Sequence, residues 1–169
     1  LPDIRLRLSG NQTLTILAYH RVMDIPKNYL FDRELISASC RDFEWQVNYL
    51  KKYCSPISFA DFIAYRKHGK PLPRNPVIIT FDDGFSDNYS NAFPILKAAN
   101  VPATFFVTTD YLDKPYTFWF DWVTYLINTM SPGRYCVGDN AHIIDISDAG
   151  MKGREPQIKR FLDFLKNIP

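Results

Sequence analysis

Apolar positions along the chain change period several times, and each change marks an element. Leu14 to Tyr19 is mostly apolar and β-prone, which predicts a first core strand. Phe43, Val47 and Leu50 share one helical face, so a helix is expected over Asp42–Leu50, with Ser39 as its cap. Trp45 on that helix reads as a packing residue. Ser55 to Ile57 predicts a short strand, and Ser58 caps a helix from about Phe59 to His68 with Asp61 in its first turn. Three prolines between Lys70 and Pro76 mark a turn into Val77–Phe81. That run is apolar except for Thr80, the pattern of a strand covered on both faces in a parallel sheet.

Ala92, Ile95, Leu96 and Ala99 follow at helical spacing, with Pro94 near the helix start and Asn100 as a stop. Ala103 to Val107 is again β-prone, which completes a strand–helix–strand unit with an expected right-handed crossover. Phe118–Met130 predicts an apolar helix that offers Trp119, Trp122, Val123, Leu126 and Ile127 for burial, with Asp121 left to reach solvent or a rim. Tyr135–Val137 and Ile143–Ile146 read as short strands about a Gly138-Asp139-Asn140 turn. Glu155–Lys166 reads as an amphipathic helix with Ile158, Phe161, Leu162 and Leu165 on one face. Two segments lack a period. Arg21–Ser39 reads as a loop over the strand ends, and residues 1–13 as a short edge strand or a loose terminus.

Composition narrows the class. A chain of 169 residues, 46% hydrophobic and 15% aromatic, suits one globular domain with a sizeable core. A net charge of +2 points to no nucleic-acid or acidic-membrane partner. No apolar run approaches the ~20 residues of a membrane helix. No signal peptide is visible, and the chain starts at Leu1 rather than Met, which leaves localisation open between cytoplasm and cell envelope. Cys40, Cys54 and Cys136 are too few and scattered for a disulfide scaffold or a cysteine zinc site. They read as reduced, partly buried thiols, with a Cys40–Cys54 bridge open. The aromatics, 13 Phe, 10 Tyr and 3 Trp, include candidates for gripping a polymeric sugar, although most belong to a core.

The candidate chemistry lies where Val77–Phe81 ends in Asp82-Asp83-Gly84. Ligands bind at the carboxyl ends of strands in open α/β sheets and barrels. Two adjacent carboxylates there push at least one pKa up unless a cation offsets them. The alternative is that one aspartate caps the following helix while the other faces water. His20, at the end of the first strand, falls on the same rim in a barrel and is a near-site candidate; the alternative is a histidine bonded to backbone. His68, near a helix C-terminus, reads as structural, and His142 and Asp145 as hairpin residues rather than a metal pair.

Thr80-Phe81-Asp82-Asp83-Gly84, followed one helix later by Pro102-Ala103-Thr104-Phe105-Phe106-Val107, resembles the first half of a polysaccharide deacetylase, the NodB-homology domain of carbohydrate esterase family 4. Leu17-Ala18-Tyr19-His20-Arg21-Val22 also resembles the first strand of a subgroup of that family. The resemblance covers residues 14–112 well and the rest weakly. It implies an α/β fold that is part of a distorted (β/α) barrel, incomplete in this chain. In that reading residues 1–169 are the N-terminal part of one domain, with a core at 14–112 and a helical and hairpin insertion at 113–169. It implies removal of acetyl groups from an N-acetylated polysaccharide or oligosaccharide, and one divalent metal, commonly zinc. By motif match Asp82 would be the general base and Asp83 the first metal ligand. The division is physically sensible, because a metal's charge offsets Asp83 and lets Asp82 stay ionised beside it.

The chain departs from the family pattern in two respects. The family's two further ligands are histidines in an H-[ST]-x-x-H motif, and the only histidines here are His20, His68 and His142. The later motifs that carry the proton donor are absent too. A catalytic zinc takes three protein ligands, so the expectation is a longer parent enzyme and an inactive isolated chain. The alternative is a non-catalytic glycan-binding or assembly module on a degenerate deacetylase fold. A two-carboxylate glycosidase fits poorly, since its carboxyl groups stand ~5–9.5 Å apart across a bond. An aspartyl-phosphate phosphatase fits poorly as well, because Asp82 and Asp83 lack a one-residue spacer.

Overall fold

The computed structural model describes residues 13–69, 71–112, 114, 117–138, 142–146 and 150–167. The alternation at residues 4–8 lies outside the described residues, as do Asp139 and Asn140 of the expected turn. The chain forms two compact units of α/β structure. One comprises residues up to Ile25 together with Leu35–Thr108, the other Pro26–Glu34 together with Thr109 onward.

The first unit is built on one strand. Strand β1 spans Thr15–Tyr19, β2 Arg21–Val22 and β3 Ile36–Ala38. Helix α1 spans Cys40–Tyr53, β4 Ser55–Pro56, α2 Phe59–His68 and β5 Pro76–Phe81. Helix α3 spans Phe93–Ala99 and β6 Thr104–Phe105. Every residue of β5 is buried, as its unbroken apolar run requires. β1 pairs with it in parallel along its length, from Thr15 opposite Val77 to Tyr19 opposite Phe81. β4 pairs with the start of β5 and β6 with its end, both also parallel.

Side chains alternate across a strand, so β5 feeds two cores. Val77, Ile79 and Phe81 pack on one face with Phe43 and Val47 of α1 and Leu96 of α3. Ile78 packs on the other with Ile57 and Leu72, beside half-buried side chains of α2. Tyr19, Phe43, Phe81 and Phe105 form an aromatic layer with ring centroids 4.8–5.6 Å apart, within the range of favourable ring pairs. Tyr19 spends its hydroxyl on Gln46 Oε1 at 2.7 Å, and burial pushes its pKa up to about 12.

Helix starts follow the expected caps. Ser39 Oγ accepts from the Asp42 N–H, and Ser58 and Asp61 form a reciprocal capping box. Asn100 ends α3 in the left-handed conformation, with Pro94 in the first turn. A turn of π-helix at Asn88–Ala92 precedes α3.

Some expectations need correction. Arg21–Ser39 is not wholly a loop, since β2 and β3 pair in parallel within it. The strand expected at 103–107 is only Thr104–Phe105: the Phe106 N–H still bonds to Phe81 O at 2.8 Å, but the side chains of Phe106 and Val107 are about half exposed and the pairing goes no further. Trp45 does not pack inside. It is 57% exposed and lies against the ring of Tyr49, because Phe43, Val47 and Leu50 already fill the inward stripe of α1. All three cysteines are free, and Cys136 is exposed rather than partly buried because its strand turns that side chain outward.

In the second unit, helix α4 spans Trp119–Thr129, β7 Gly133–Val137, β8 His142–Ile146 and α5 Gly150–Lys166. β7 and β8 pair antiparallel as expected. Ile144 and Ile146 of β8, Ile127 of α4 and Ile158, Phe161 and Leu162 of α5 form its core. The expected face of α4 holds only in part: Ile127 is buried and Val123 packs against the core, but Trp119, Trp122 and Leu126 are exposed, and Asp121 and Thr124 are buried instead. The reason is backbone polarity. Asp121 accepts from the Asp32 N–H at 3.0 Å and Asn128 Nδ2 donates to Leu30 O at 2.9 Å, so α4 turns polar groups toward the segment 30–32. Arg154 Nη1 donates to the carbonyls of Ile127, Asn128 and Met130, which satisfies the open end of α4. Among the described residues, no helix is long and apolar enough to cross a membrane.

Ile79 is fully buried at the centre of β5. Ile79→Ala is therefore expected to cost about 3 kcal/mol by urea unfolding.

Candidate active site

The register of β1 on β5 makes the site. Tyr19 pairs with Phe81, so the next residues along the two strands, His20 and Asp82, emerge side by side. The Asp82 N–H donates to Tyr19 O at 2.8 Å and extends the ladder by one bond. One residue on, the carboxylate of Asp83 lies 3.9 Å from His20 Nε2. The sequence candidates His20, Asp82 and Asp83 thus share one strand-end rim, directly above the aromatic layer of Tyr19 and Phe81.

Asp83 is held in an uncommon backbone state. Its φ is 70°, and the Gly84 N–H bonds back to Asp82 O at 2.9 Å, which makes a three-residue γ-turn centred on Asp83. Positive φ in a non-glycine residue costs energy and concentrates at functional sites. Gly84 continues the turn with φ 76°. A Cβ there would stand 2.9 Å from Val107 Cγ1 and 3.3 Å from its Cα, so glycine is required by space as well as by conformation.

Burial raises the Asp83 pKa above its ordinary value of 3.8; the imidazole of His20 opposes the shift, and the charge of Asp82 adds to it. The site therefore resists a bare second carboxylate and favours a positive charge close to Asp83.

One buried ion pair beside the rim has no signal in the sequence. Arg21, just after His20, places Nε and Nη2 each 2.9 Å from Asp87 Oδ2, and Asp87 Oδ1 accepts from the Val22 N–H at 3.0 Å. Asp87 is 6% exposed, and the Arg21 guanidinium also lies 4.6 Å from the Phe85 ring centroid. Asn91 Nδ2 donates to Val22 O at 2.9 Å. These bonds tie the segment that follows His20 to the segment that follows Asp83, and so set the distance between the two candidate side chains. The partners stand 66 residues apart, so no local pattern could reveal them.

His68 ends α2, where its place in the last turn favours a structural role. Asp145 lies on β8, and the side chain of His142 lies outside the described residues. Among the described residues, no group of three His, Cys, Asp or Glu is arranged to hold a metal. A cavity in the second unit is lined by neither His20, Asp82 nor Asp83.

Comparison with known proteins bears on this rim. Residues 69–152, which include the Asp82–Asp83 turn but not His20, match the family model for polysaccharide deacetylase. The chain is 34% identical over 122 residues to the poly-beta-1,6-N-acetyl-D-glucosamine N-deacetylase of Staphylococcus aureus (strain MRSA252), across 67% of this chain and 41% of that protein. It is 32% identical over 99 residues to the protein of the same name from Escherichia coli (strain K12), across 59% of this chain and 14% of that one. Among solved structures it resembles a de-N-acetylase from Aggregatibacter actinomycetemcomitans, with a TM-score of 0.52 and 31% identity over 60% of this chain and 40% of the other. The chain spans about two fifths or less of the length of these relatives.

Two outcomes follow from the rim. Asp87→Ala strips a buried ion pair and an acceptor of a backbone N–H, and should cost about 3 kcal/mol of stability by chemical unfolding. For Asp83 the folded state holds the carboxyl above its unfolded value. Its contribution is intact below that unfolded value and is lost as pH rises through the raised one. Asp83→Asn in the metal-free protein should therefore melt higher than the parent at pH 7, and the gap should shrink as pH falls below the ordinary carboxylate range.

Proposed function

We propose, for a chain whose residues 69–152 belong to the polysaccharide deacetylase family, that the whole protein is a metal-dependent hydrolase that removes N-acetyl groups from a glycan. Relatives named for poly-β-1,6-N-acetyl-D-glucosamine support a β-1,6-linked N-acetylglucosamine polymer as the substrate class. The observation that carries the reading is the rim itself: two adjacent carboxylates at the end of a fully buried parallel strand, with an imidazole 3.9 Å from one of them.

In this reading Asp82 is the general base. It takes the proton from the water that attacks the acetyl carbonyl, a role worth ~10²–10⁴-fold in rate. Asp83 is a metal ligand, and His20 stands beside it as a near-site group. A divalent cation, commonly zinc, would polarise the carbonyl and acidify the water. Asp83 and His20 do not by themselves make a catalytic zinc site, which takes three protein ligands, and no step is assigned through a metal on these residues alone. The proposal is that the remaining ligands, the proton donor for the leaving amine and the rest of a distorted (β/α) barrel are supplied from outside these 169 residues. The relatives are more than twice as long as the segment they share with this chain, which leaves room for them. Residues 113–169 would then be an insertion in that one domain.

Acetate release from a β-1,6-linked N-acetylglucosamine oligomer by the full-length protein tests the reading. Asp82→Asn should lower the rate at least a hundredfold, and chelation should abolish turnover until zinc or another divalent cation is restored. Wild-type turnover by the Asp82→Asn enzyme would remove the base assignment. Retained glycan binding without any hydrolysis would favour a non-catalytic module.

A further inference from the structure

The segment that carries His20 is held from both edges. On one side the N–H groups of Arg21 and Met23 donate to Leu35 O at 3.0 Å and Ala38 O at 3.1 Å, and the His20 N–H donates to Ser37 Oγ at 2.9 Å. Successive residues of a strand turn their backbone groups to opposite edges, so Val22 faces the other way. Among the described residues no second strand pairs with β2 on that side. Two side chains take its place. Asp87 Oδ1 accepts from the Val22 N–H at 3.0 Å, and Asn91 Nδ2 donates to the Val22 carbonyl at 2.9 Å.

Both side chains come from the segment that leads away from the Asp83 turn. Asp87 precedes the π-turn Asn88–Ala92, and Asn91 lies within it. The Phe93 N–H bonds to Asn88 O, five residues back rather than four. Single turns of this kind occur frequently at functional sites.

An edge cover for Val22 needs one acceptor and one donor, and no cation. Asp87 nevertheless also takes Nε and Nη2 of Arg21 on Oδ2, each at 2.9 Å. The two side chains are only 15% and 8% exposed, so both charges are largely out of water. A buried ion pair is a poor source of stability, because desolvation offsets the attraction. Its consequence here is geometric: the residue next to His20 is fixed by its side chain as well as by its backbone.

We propose that Arg21, Asp87 and Asn91 are positioning residues for the reaction at the rim. They fix the backbone at 20–22 and thereby hold the His20 imidazole 3.9 Å from the Asp83 carboxylate. They act through His20 and touch no reacting atom. The inference rests on the deacetylase reading for the reaction that it serves.

The test uses the full-length protein and acetate release from a β-1,6-linked N-acetylglucosamine oligomer. Arg21→Lys keeps the charge but loses the two-donor grip on Asp87. It should lower kcat about ten- to a hundredfold, the scale of a ~1 Å misplacement, and leave KM near the parent value. Added to His20→Ala, it should lower kcat no further, since the group it positions is gone. A crystal structure of the Arg21→Lys protein should show β1 and β5 still in register and the imidazole moved off Asp83. Asn91→Ala leaves the ion pair in place and should give a smaller loss of the same kind, which keeps the test open if Arg21→Lys does not fold.

Parent-level kcat in these variants, an equal loss with and without His20, or an imidazole that stays in place would each overturn the proposal. If the parent protein releases no acetate, the deacetylase reading falls. The crystal comparison then decides by itself whether the clamp positions His20.

Discussion

The parallel pairing of β1 on β5 is the constraint on which the rest depends. With Tyr19 opposite Phe81, the residues one step beyond are brought to the same edge of the sheet. A slip of one residue would turn each side chain to the other face. It would take His20 away from Asp83 and break the aromatic layer beneath them. That layer in turn makes the register costly to change, because Tyr19, Phe43, Phe81 and Phe105 meet in close ring contacts that a shifted strand could not reproduce. The packing of the core and the placing of the chemistry are one fact seen from below and from above the rim.

Above that layer the chain accepts energetic costs that packing alone would not select. Asp83 sits at positive φ, is partly desolvated and has a second carboxylate for a neighbour. Gly84 is confined by Val107. Arg21 and Asp87 hold the turn from both sides with bonds that reach the backbone of Val22. A turn that is strained, charged and over-determined fits a catalytic rim better than a helix cap, because a cap needs only one aspartate and no clamp.

What could be read from the sequence followed the range of the interaction. β5 was legible because a fully buried strand leaves an unbroken apolar run, and the caps at Ser39 and Ser58 because a cap acts within three residues. The adjacency of His20 to the acids was legible from two strand ends sharing a rim. The Arg21–Asp87 clamp was not, since it joins distant segments without periodicity. The face of α4 was misread in part, at Trp119, Trp122 and Leu126, for a related reason. Its large aromatic residues suggest an apolar face, but Asp121 and Asn128 are drawn inward by backbone groups of the segment 30–32, and composition does not show that demand. The γ-turn at Asp83 was also invisible, because aspartate is common in turns of every kind. The cavity of the second unit draws residues 31–34 together with α4 and α5, another long-range assembly that no stretch of sequence announces.

The central claim is that Asp83, and not Asp82, is the point at which a metal enters this rim. A crystal of the full-length protein grown with cobalt or zinc would test it through the anomalous signal of the metal. The account predicts a peak about 2.0–2.2 Å from a carboxylate oxygen of Asp83, with Asp82 outside the coordination shell and free to act on water. A peak bound through Asp82, or a well-occupied metal elsewhere with none at Asp83, would contradict it.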